Sequence, residues 1–178
     1  MTKNMNLIIK ITLTIIIALA VAYPYLNPAE ETSTLNTVFS LGLTGTLLLL
    51  IAFLIAVGFY CRALQKCLEL IHPDCRAASP KSVWFMFLIP FNIIEDFFII
   101  LNISNSIQAE ARRNTSLSVL KEFGIVSGLG WCIAQVLSLI PNYAGQIAGL
   151  VGLILWIIHW SFINKVNKLL IEKKQAKE

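Results

Sequence analysis

Residues 85–100 read FMFLIPFNIIEDFFII, and this stretch decides how many times the chain can cross a membrane. It is one of the most apolar and aromatic runs of the sequence, yet its middle contains Pro90, Asn92, Glu95 and Asp96. Acidic side chains inside a bilayer are costly, and they commonly mark an ion or proton site. The alternative is that the two acids stand where a helix begins, and the rest of the sequence bears on that choice.

The composition predicts a membrane protein. Of 178 residues, 57% are hydrophobic and 13% are charged, and the mean hydropathy is +0.74. A soluble domain carries about twice that charged fraction. We therefore predict an all-α, polytopic integral membrane protein with a single membrane domain over residues 1–178. The formal net charge of +4 does not indicate a nucleic-acid partner, because the basic residues lie beside apolar segments.

Four apolar stretches are predicted to form transmembrane helices, at residues 7–25, 37–60, 119–140 and 143–163. The first has a basic start, with Lys3 and Lys10, and is expected to act as a signal anchor and first span. The second is expected to continue as a helix through CRALQKCLELI and to stop at Pro73. The last two are joined by a tight turn at Pro141 and Asn142, which predicts a helical hairpin.

Residues 83–108 are long enough for a fifth span, but the distribution of lysine and arginine argues against one. If the stretch crossed, eight of the 14 basic residues would lie outside; if it returns, all 14 face the cytoplasm, as the positive-inside rule favours. We predict that both termini are cytoplasmic and that the protein lies in a bacterial inner membrane. Residues 83–108 then form a re-entrant or an interfacial amphipathic helix, and the cytoplasmic segments are 61–82, 109–118 and 164–178.

The polar residues of this element allow two interpretations. Pro90 is expected to break the helix, after which Asn92 can act as the N-cap and Glu95 can complete a capping box. Asp96 would then lie in the first turn, where the helix dipole favours an anion. The other interpretation is that Asn92, Glu95, Asp96 and Asn102 line an ion pathway.

Residues 81–110, KSVWFMFLIPFNIIEDFFIILNISNSIQAE, resemble a segment of small bacterial multi-span membrane proteins. In those proteins a tryptophan precedes an apolar run that ends in proline and asparagine and leads into a re-entrant or interfacial amphipathic helix. The corresponding residues here are Trp84, Pro90 and Asn92, with a shorter proline–asparagine spacing. The resemblance implies a location in the membrane rather than a chemical activity.

Glycines in the last two predicted spans recur at spacings that allow helices to approach closely. They are Gly124, Gly128, Gly145, Gly149 and Gly152. They serve either to pack the last hairpin on itself or to contact another copy of the chain. We expect the face of the last three to meet a second copy, which predicts a homo-oligomer.

Basic side chains near the predicted inner ends of the helices are expected to contact lipid headgroups or a cytoplasmic protein partner. They are Arg112, Arg113, Lys165, Lys168, Lys173 and Lys174. Membrane lipids are therefore predicted partners.

No catalytic, cofactor-binding or metal-binding residue is predicted. The sequence contains no serine-hydrolase, zinc-protease or P-loop motif. The four cysteines show no C-x-x-C spacing, and the pair His72 and Cys75 lacks the further ligands that a zinc site needs. His159, between Trp156 and Trp160, is expected to lie in an interfacial aromatic belt.

These features favour a non-enzymatic inner-membrane subunit that acts as an anchor, sensor or scaffold. It would self-associate or dock a cytoplasmic partner, for example within a multi-gene system such as anti-phage defence. One alternative is an oligomeric ion channel or small transporter lined by Asn92, Glu95, Asp96 and Asn102. Another is a lipid- or haem-handling protein that uses His159.

Overall fold

Apolar residues dominate every long segment of the chain, and these segments fold as helices. The computed structural model describes residues 3–26, 40–88, 91–140 and 142–175. The α-helices are α1 (Lys3–Leu26), α2 (Gly42–Leu70), α3 (Asn92–Ala111), α4 (Ile125–Leu137) and α5 (Tyr143–Gln175). Short 3-10 helices cover Pro73–Cys75, Pro80–Phe87 and Thr115–Leu117. The described residues contain no strand, and the predicted all-α class is confirmed.

Two helices, α2 and α5, are long and apolar enough to cross a membrane, by length and composition. They correspond to two of the four predicted spans. As predicted, α2 continues beyond residue 60 and ends at Leu70, just before Pro73. Helix α5 continues past the predicted end at residue 163 to Gln175. Residues 37–39 of the predicted second span lie outside the described residues.

Helix α4 is shorter than the predicted span at residues 119–140. It has 13 residues, which is about 20 Å, whereas a bilayer core is about 30 Å thick. The chain enters α4 through Gly124, whose φ of 77° is left-handed and favours glycine. The prediction of one continuous helix over 119–140 is wrong, because Gly124 turns the chain immediately before α4.

Helices α4 and α5 form the predicted antiparallel hairpin. A Cβ added at Gly152 would lie 3.2 Å from Ala134 Cβ, and one added at Gly149 would lie 3.5 Å from Ser138 Cβ. At the turn, Asn142 Oδ1 accepts a hydrogen bond of 2.9 Å from the backbone N–H of Gly145; Pro141 lies outside the described residues. The glycine face that was expected to meet a second copy therefore packs on the preceding helix of the same chain.

The segment predicted as re-entrant or interfacial, residues 83–108, is folded as two antiparallel arms. The first is the 3-10 helix Pro80–Phe87, which runs along α2 in the opposite direction: Trp84 donates a 2.7 Å hydrogen bond to Gln65, and Phe87 lies beside Gly58. The second arm is α3, which runs back beside α4, with Ile100 packed on Gly128.

The buried core lies at one end of the long helices. Its members come mainly from the second half of α2, the 3-10 helix Pro80–Phe87, α3 and the second half of α5. We call this end, residues 60–87, 99–124 and 156–175, the head. At the other end, α2 and α5 expose most of their large apolar side chains, from Leu43 to Phe59 and from Tyr143 to Ile158.

Candidate functional site

Glu95 forms an ion pair that joins α3 to α1. The Nζ atom of Lys10 lies 2.7 and 2.9 Å from the two carboxylate oxygens of Glu95. The two side chains are 25% and 18% exposed, so the pair is largely shielded from solvent. Lys10 Nζ also lies 4.4 Å from the centre of the Phe98 ring, a cation–π contact. The charge of Glu95 is thereby compensated within the chain.

No side chain caps the start of α3. The N-cap residue is Phe91, which already has helical backbone angles, and the backbone N–H of Asn92 donates to Leu88 O at 2.9 Å. The predicted capping box of Asn92 and Glu95 does not form, because Asn92 is the first residue of α3 rather than its N-cap and Glu95 is paired with Lys10. The predicted break at Pro90 lies outside the described residues.

Asp96 is buried at the contact between α3 and α4. It is 3% exposed, and its Oδ1 has no hydrogen-bond partner among the described residues. Burial raises the pKa of Asp96 to about 8, the charge of Glu95 acts in the same direction, and a hydrogen bond with Gln135 lowers it. At neutral pH the Asp96 carboxyl is therefore mostly protonated and can remain buried without a cation.

Glu95 and Asp96, two of the four residues predicted to line an ion pathway, face different helices. Glu95 points to α1 and Asp96 to α4. Asn102 is half-buried, and its backbone oxygen accepts a hydrogen bond of 2.6 Å from Ser106. Asn92 begins α3 and is also half-buried. In the described part of the chain, the Glu95 and Asp96 side chains therefore join α3 to α1 and to α4.

A buried tyrosine–histidine pair connects α2 to α5. Tyr60 Oη and His159 Nδ1 are 2.7 Å apart, and the residues are 0% and 1% exposed. The Tyr60 ring packs edge-on against Trp131, Trp156 and Trp160, with centroid distances of 5.7 to 5.9 Å. His159 is thus buried inside an aromatic cluster of the same chain.

The surroundings of His159 leave no open ring nitrogen for a haem iron. Nδ1 is bonded to Tyr60, and Nε2 faces the backbone of Gly124 and Gly128, where an added Cβ would lie 3.2 and 3.0 Å away. The sequence did not identify Tyr60 as part of this site. Its only signal was a tyrosine at the end of an apolar run, which many interfacial tyrosines share.

A cluster of polar side chains joins the turn after α2 to the C-terminal end of α3. Glu110, 8% exposed, accepts a hydrogen bond from the backbone N–H of His72 at 3.1 Å and contacts Asn114 Nδ2 at 3.5 Å. Arg113 Nη1 lies 3.3 Å from His72 Nδ1 and 3.7 Å from Asp74 Oδ2. Arg113, which was predicted to bind lipid headgroups or a protein partner, therefore contacts the turn after α2 in the same chain.

A groove of about 880 Å³ lies between the ends of α2 and α5. Its lining includes Arg62, Lys66, Glu69, Asn167, Lys168 and Glu172. Asn167 joins the two helices, because its Nδ2 donates a hydrogen bond of 2.9 Å to Ala63 O. Of the predicted headgroup- or partner-binding residues, only Lys168 lines this groove; Arg112, Lys165 and Lys174 are exposed elsewhere on the head, and Lys173 is half-buried.

The part of the chain that the structure describes has no group of three or more histidine, cysteine, aspartate or glutamate residues that could hold a metal ion. All four cysteines are buried and unpaired. Cys61 Sγ contacts Val83 O at 3.5 Å and Met86 Sδ at 3.6 Å, which is a packing role against the first arm of the hairpin.

Together these features define an all-α protein whose described part has two candidate membrane-spanning helices, α2 and α5. A polar groove lies between the ends of these helices, and the buried Tyr60–His159 pair connects them. No protein-family model matches this chain, and no curated protein and no solved structure matches it. Its function is therefore inferred from the geometry of these sites.

Proposed function

We propose that this chain is a multi-pass bacterial inner-membrane protein without catalytic activity, which anchors or scaffolds other proteins at the cytoplasmic face. In this arrangement four segments cross the bilayer, near residues 7–25, 37–60, 119–140 and 143–163. The arms Pro80–Phe87 and α3 form a re-entrant hairpin that enters from the cytoplasmic side, and both termini are cytoplasmic. The head is the surface that would self-associate or receive a partner.

The observation that carries this proposal is a change in the exposed surface along both long helices. On α2 the exposed large side chains are apolar up to Phe59 and are followed by exposed Arg62 and Lys66. On α5 they are apolar up to Ile158 and are followed by exposed Lys165. The two changes occur at the same level, because Tyr60 and His159 are in contact. Helices with apolar exposed surfaces of this extent require a lipid or protein cover.

The short helix α4 is compatible with a crossing at residues 119–140. Non-helical backbone is tolerated at membrane depth where protein covers it. Gly124 is buried under the ring of Phe162, and Phe123 packs on the buried core. The turn that leads into α4 is thus covered by α5.

Burial of the Asp96 carboxyl is the observation that supports the alternative, an oligomeric channel or small transporter lined by Asn92, Glu95, Asp96 and Asn102. The ion pair of Glu95 with Lys10 opposes it, because a compensated carboxylate does not attract a cation. If transport were the function, Asp96→Asn would abolish flux through reconstituted vesicles. We expect no flux from either wild type or variant.

Cysteine labelling in intact cells tests the arrangement, after the native cysteines have been replaced. Cysteine introduced at Tyr143, which is 75% exposed, should react with an impermeant thiol reagent from outside. Cysteines at the exposed positions Ser79, Thr115 and Gln175 should react only after the membrane is permeabilised. Labelling at position 115 in intact cells would make α3 a fifth crossing and defeat the proposed hairpin.

The scaffold role is tested by purification in mild detergent followed by native mass spectrometry. We expect an oligomer or a complex with a cytoplasmic protein that is weakened by Arg112→Glu, an exposed position on the head. Tyr143→Glu, at a 75% exposed residue at the opposite end of α5 from the head, is the control and should leave the complex intact. Recovery of a monomer alone from wild type would contradict the scaffold role.

A further inference from the structure

The groove between α2 and α5 lies where both helices change from apolar to charged surface. Arg62 follows the last large exposed apolar residue of α2, Phe59, by three residues, which is about 4.5 Å along the axis. On α5 the groove begins at Asn164, two turns beyond Ile158. The headgroup region of a bilayer is the layer just outside its hydrocarbon core. The groove therefore opens at the depth of phospholipid headgroups.

The charges of the groove favour an anion. Arg62, Lys66 and Lys168 line it, and none of the three forms an ion pair with another described residue. Two carboxylates, Glu69 and Glu172, also line it, so three positive and two negative side chains leave the groove with a net charge of +1. Basic pockets between helices on the cytoplasmic side of a membrane suit anionic lipid headgroups.

The side-chain oxygen of Asn167 lacks a hydrogen-bond donor among the described residues. Asn167 lines the groove, it is 6% exposed, and its Nδ2 is held by Ala63 O. Its Oδ1 is buried and has no hydrogen-bond partner among the described residues. A hydroxyl group on a bound headgroup would supply the missing donor, and the free carboxylate of Glu172 would accept from a second hydroxyl.

We propose that this groove binds the headgroup of one anionic phospholipid with a hydroxylated headgroup, such as phosphatidylglycerol, from the cytoplasmic leaflet. The phosphodiester contacts Arg62, Lys66 and Lys168, the glycerol hydroxyls face Asn167 and Glu172, and the acyl chains lie on the apolar surfaces of α2 and α5. This site rests on the proposed membrane location, but the lipid measurement does not depend on which side of the membrane the head faces.

Native mass spectrometry of the full chain in detergent, titrated with single lipids of matched acyl chains, tests the site. We expect one tightly bound phosphatidylglycerol per chain, with weaker binding of phosphatidylethanolamine, which has no net charge. Phosphatidylmethanol, which has the same phosphodiester charge but no hydroxyl, should also bind more weakly. Soluble glycerol phosphate should compete poorly, because it has no acyl chains to contact the helices.

The matched variants are Lys168→Gln in the groove and Lys165→Gln on the same helix outside it. A basic residue near a membrane surface contributes about 1 kcal/mol to the binding of anionic lipid, which is about fivefold in affinity. We expect Lys168→Gln to weaken phosphatidylglycerol binding about fivefold and Lys165→Gln to leave it unchanged. Equal weakening by both variants would show diffuse surface attraction and overturn the site. Equal affinity for phosphatidylmethanol or for phosphatidylethanolamine would overturn the assigned headgroup, and equal affinity for glycerol phosphate would overturn the assignment of a lipid as the ligand.

Discussion

The carboxyl group of Asp96 is enclosed between two helices, and its protonation should control stability. Its pKa in the folded state is about 8, above the ordinary value of 3.8, because burial disfavours the charged form. The folded state therefore binds this proton more tightly than the unfolded state. The stability that results is fully present below about pH 4 and is lost as the pH rises through 8.

We therefore expect the melting temperature of the protein in detergent to fall between pH 6 and pH 9. Asp96→Asn should reduce this slope and melt above wild type at pH 9, since the amide does not ionise. Asp74→Asn, at a side chain that is 74% exposed, is the control and should keep the wild-type slope. An unchanged slope in Asp96→Asn would mean that another group governs the pH dependence.

The buried pair of Tyr60 and His159 gives a second prediction for a single side chain. Tyr60→Phe keeps the ring among the tryptophans but leaves His159 Nδ1 without its partner at 2.7 Å. An unsatisfied buried polar group costs about 1–3 kcal/mol. We expect thermal unfolding to show a loss of that order, whereas Tyr143→Phe, at a 75% exposed tyrosine, should change nothing. Equal melting temperatures for Tyr60→Phe and Tyr143→Phe would show that the Tyr60–His159 hydrogen bond does not stabilise the protein.

At the scale of elements, the glycines of α4 and α5 differ in how closely a neighbour approaches. A Cβ added at Gly128 would lie 2.9 Å from His159 Cδ2 and 2.5 Å from Ile100 Cγ2, so both side chains would have to move. A Cβ at Gly149 would meet only Ser138 Cβ, at an ordinary contact distance of 3.5 Å.

Alanine at these two positions should therefore have opposite effects. We expect Gly128→Ala to destabilise the protein by about 1–3 kcal/mol through overpacking. Gly149→Ala should be neutral or stabilising by up to about 1 kcal/mol, because alanine is the better helix former. Thermal unfolding of both variants checks the contrast, and comparable destabilisation by Gly149→Ala would show that its face meets a further surface, such as a second copy.

The elements that the sequence predicted correctly depend on local signals. The continuation of α2 to Leu70 followed from leucine spacing and from Pro73, and the α4–α5 hairpin followed from two apolar runs around a short turn. The late start of α4 was missed, although Lys121 and Glu122 inside the predicted span were a local signal against a helix that begins at residue 119. The sites were missed for a stronger reason: Lys10 pairs with a residue 85 positions away, and Tyr60 with one 99 positions away.

At the scale of the whole molecule, α1 is attached differently from the other helices: it lies against α3, and none of its side chains that the structure describes belongs to the buried core of the head. The Lys10–Glu95 pair is its principal polar contact with the other helices. Removing one partner of a shielded ion pair leaves the other charge uncompensated and is more damaging than removing both. Lys10→Met should therefore loosen α1.

Hydrogen exchange of α1 amides, measured by mass spectrometry in detergent, should be faster in Lys10→Met than in wild type. Lys10→Met combined with Glu95→Gln should recover part of the protection. Lys121→Met, at an exposed lysine outside α1, is the control and should leave exchange unchanged. Exchange in the double variant that exceeds the Lys10→Met rate would contradict an ion-pair attachment.

The long separation of this pair also has a consequence for biosynthesis. Ribosomes add roughly 5–20 residues per second, so the 85 residues between Lys10 and Glu95 take about 4–17 s to make. During that delay the nascent α1 carries an ammonium group that has no carboxylate to meet. A long lysine side chain can reach the aqueous boundary in the meantime. In the proposed four-span arrangement, the first helix would therefore enter the bilayer with Lys10 near the aqueous boundary and reach its final depth only after α3 has been translated.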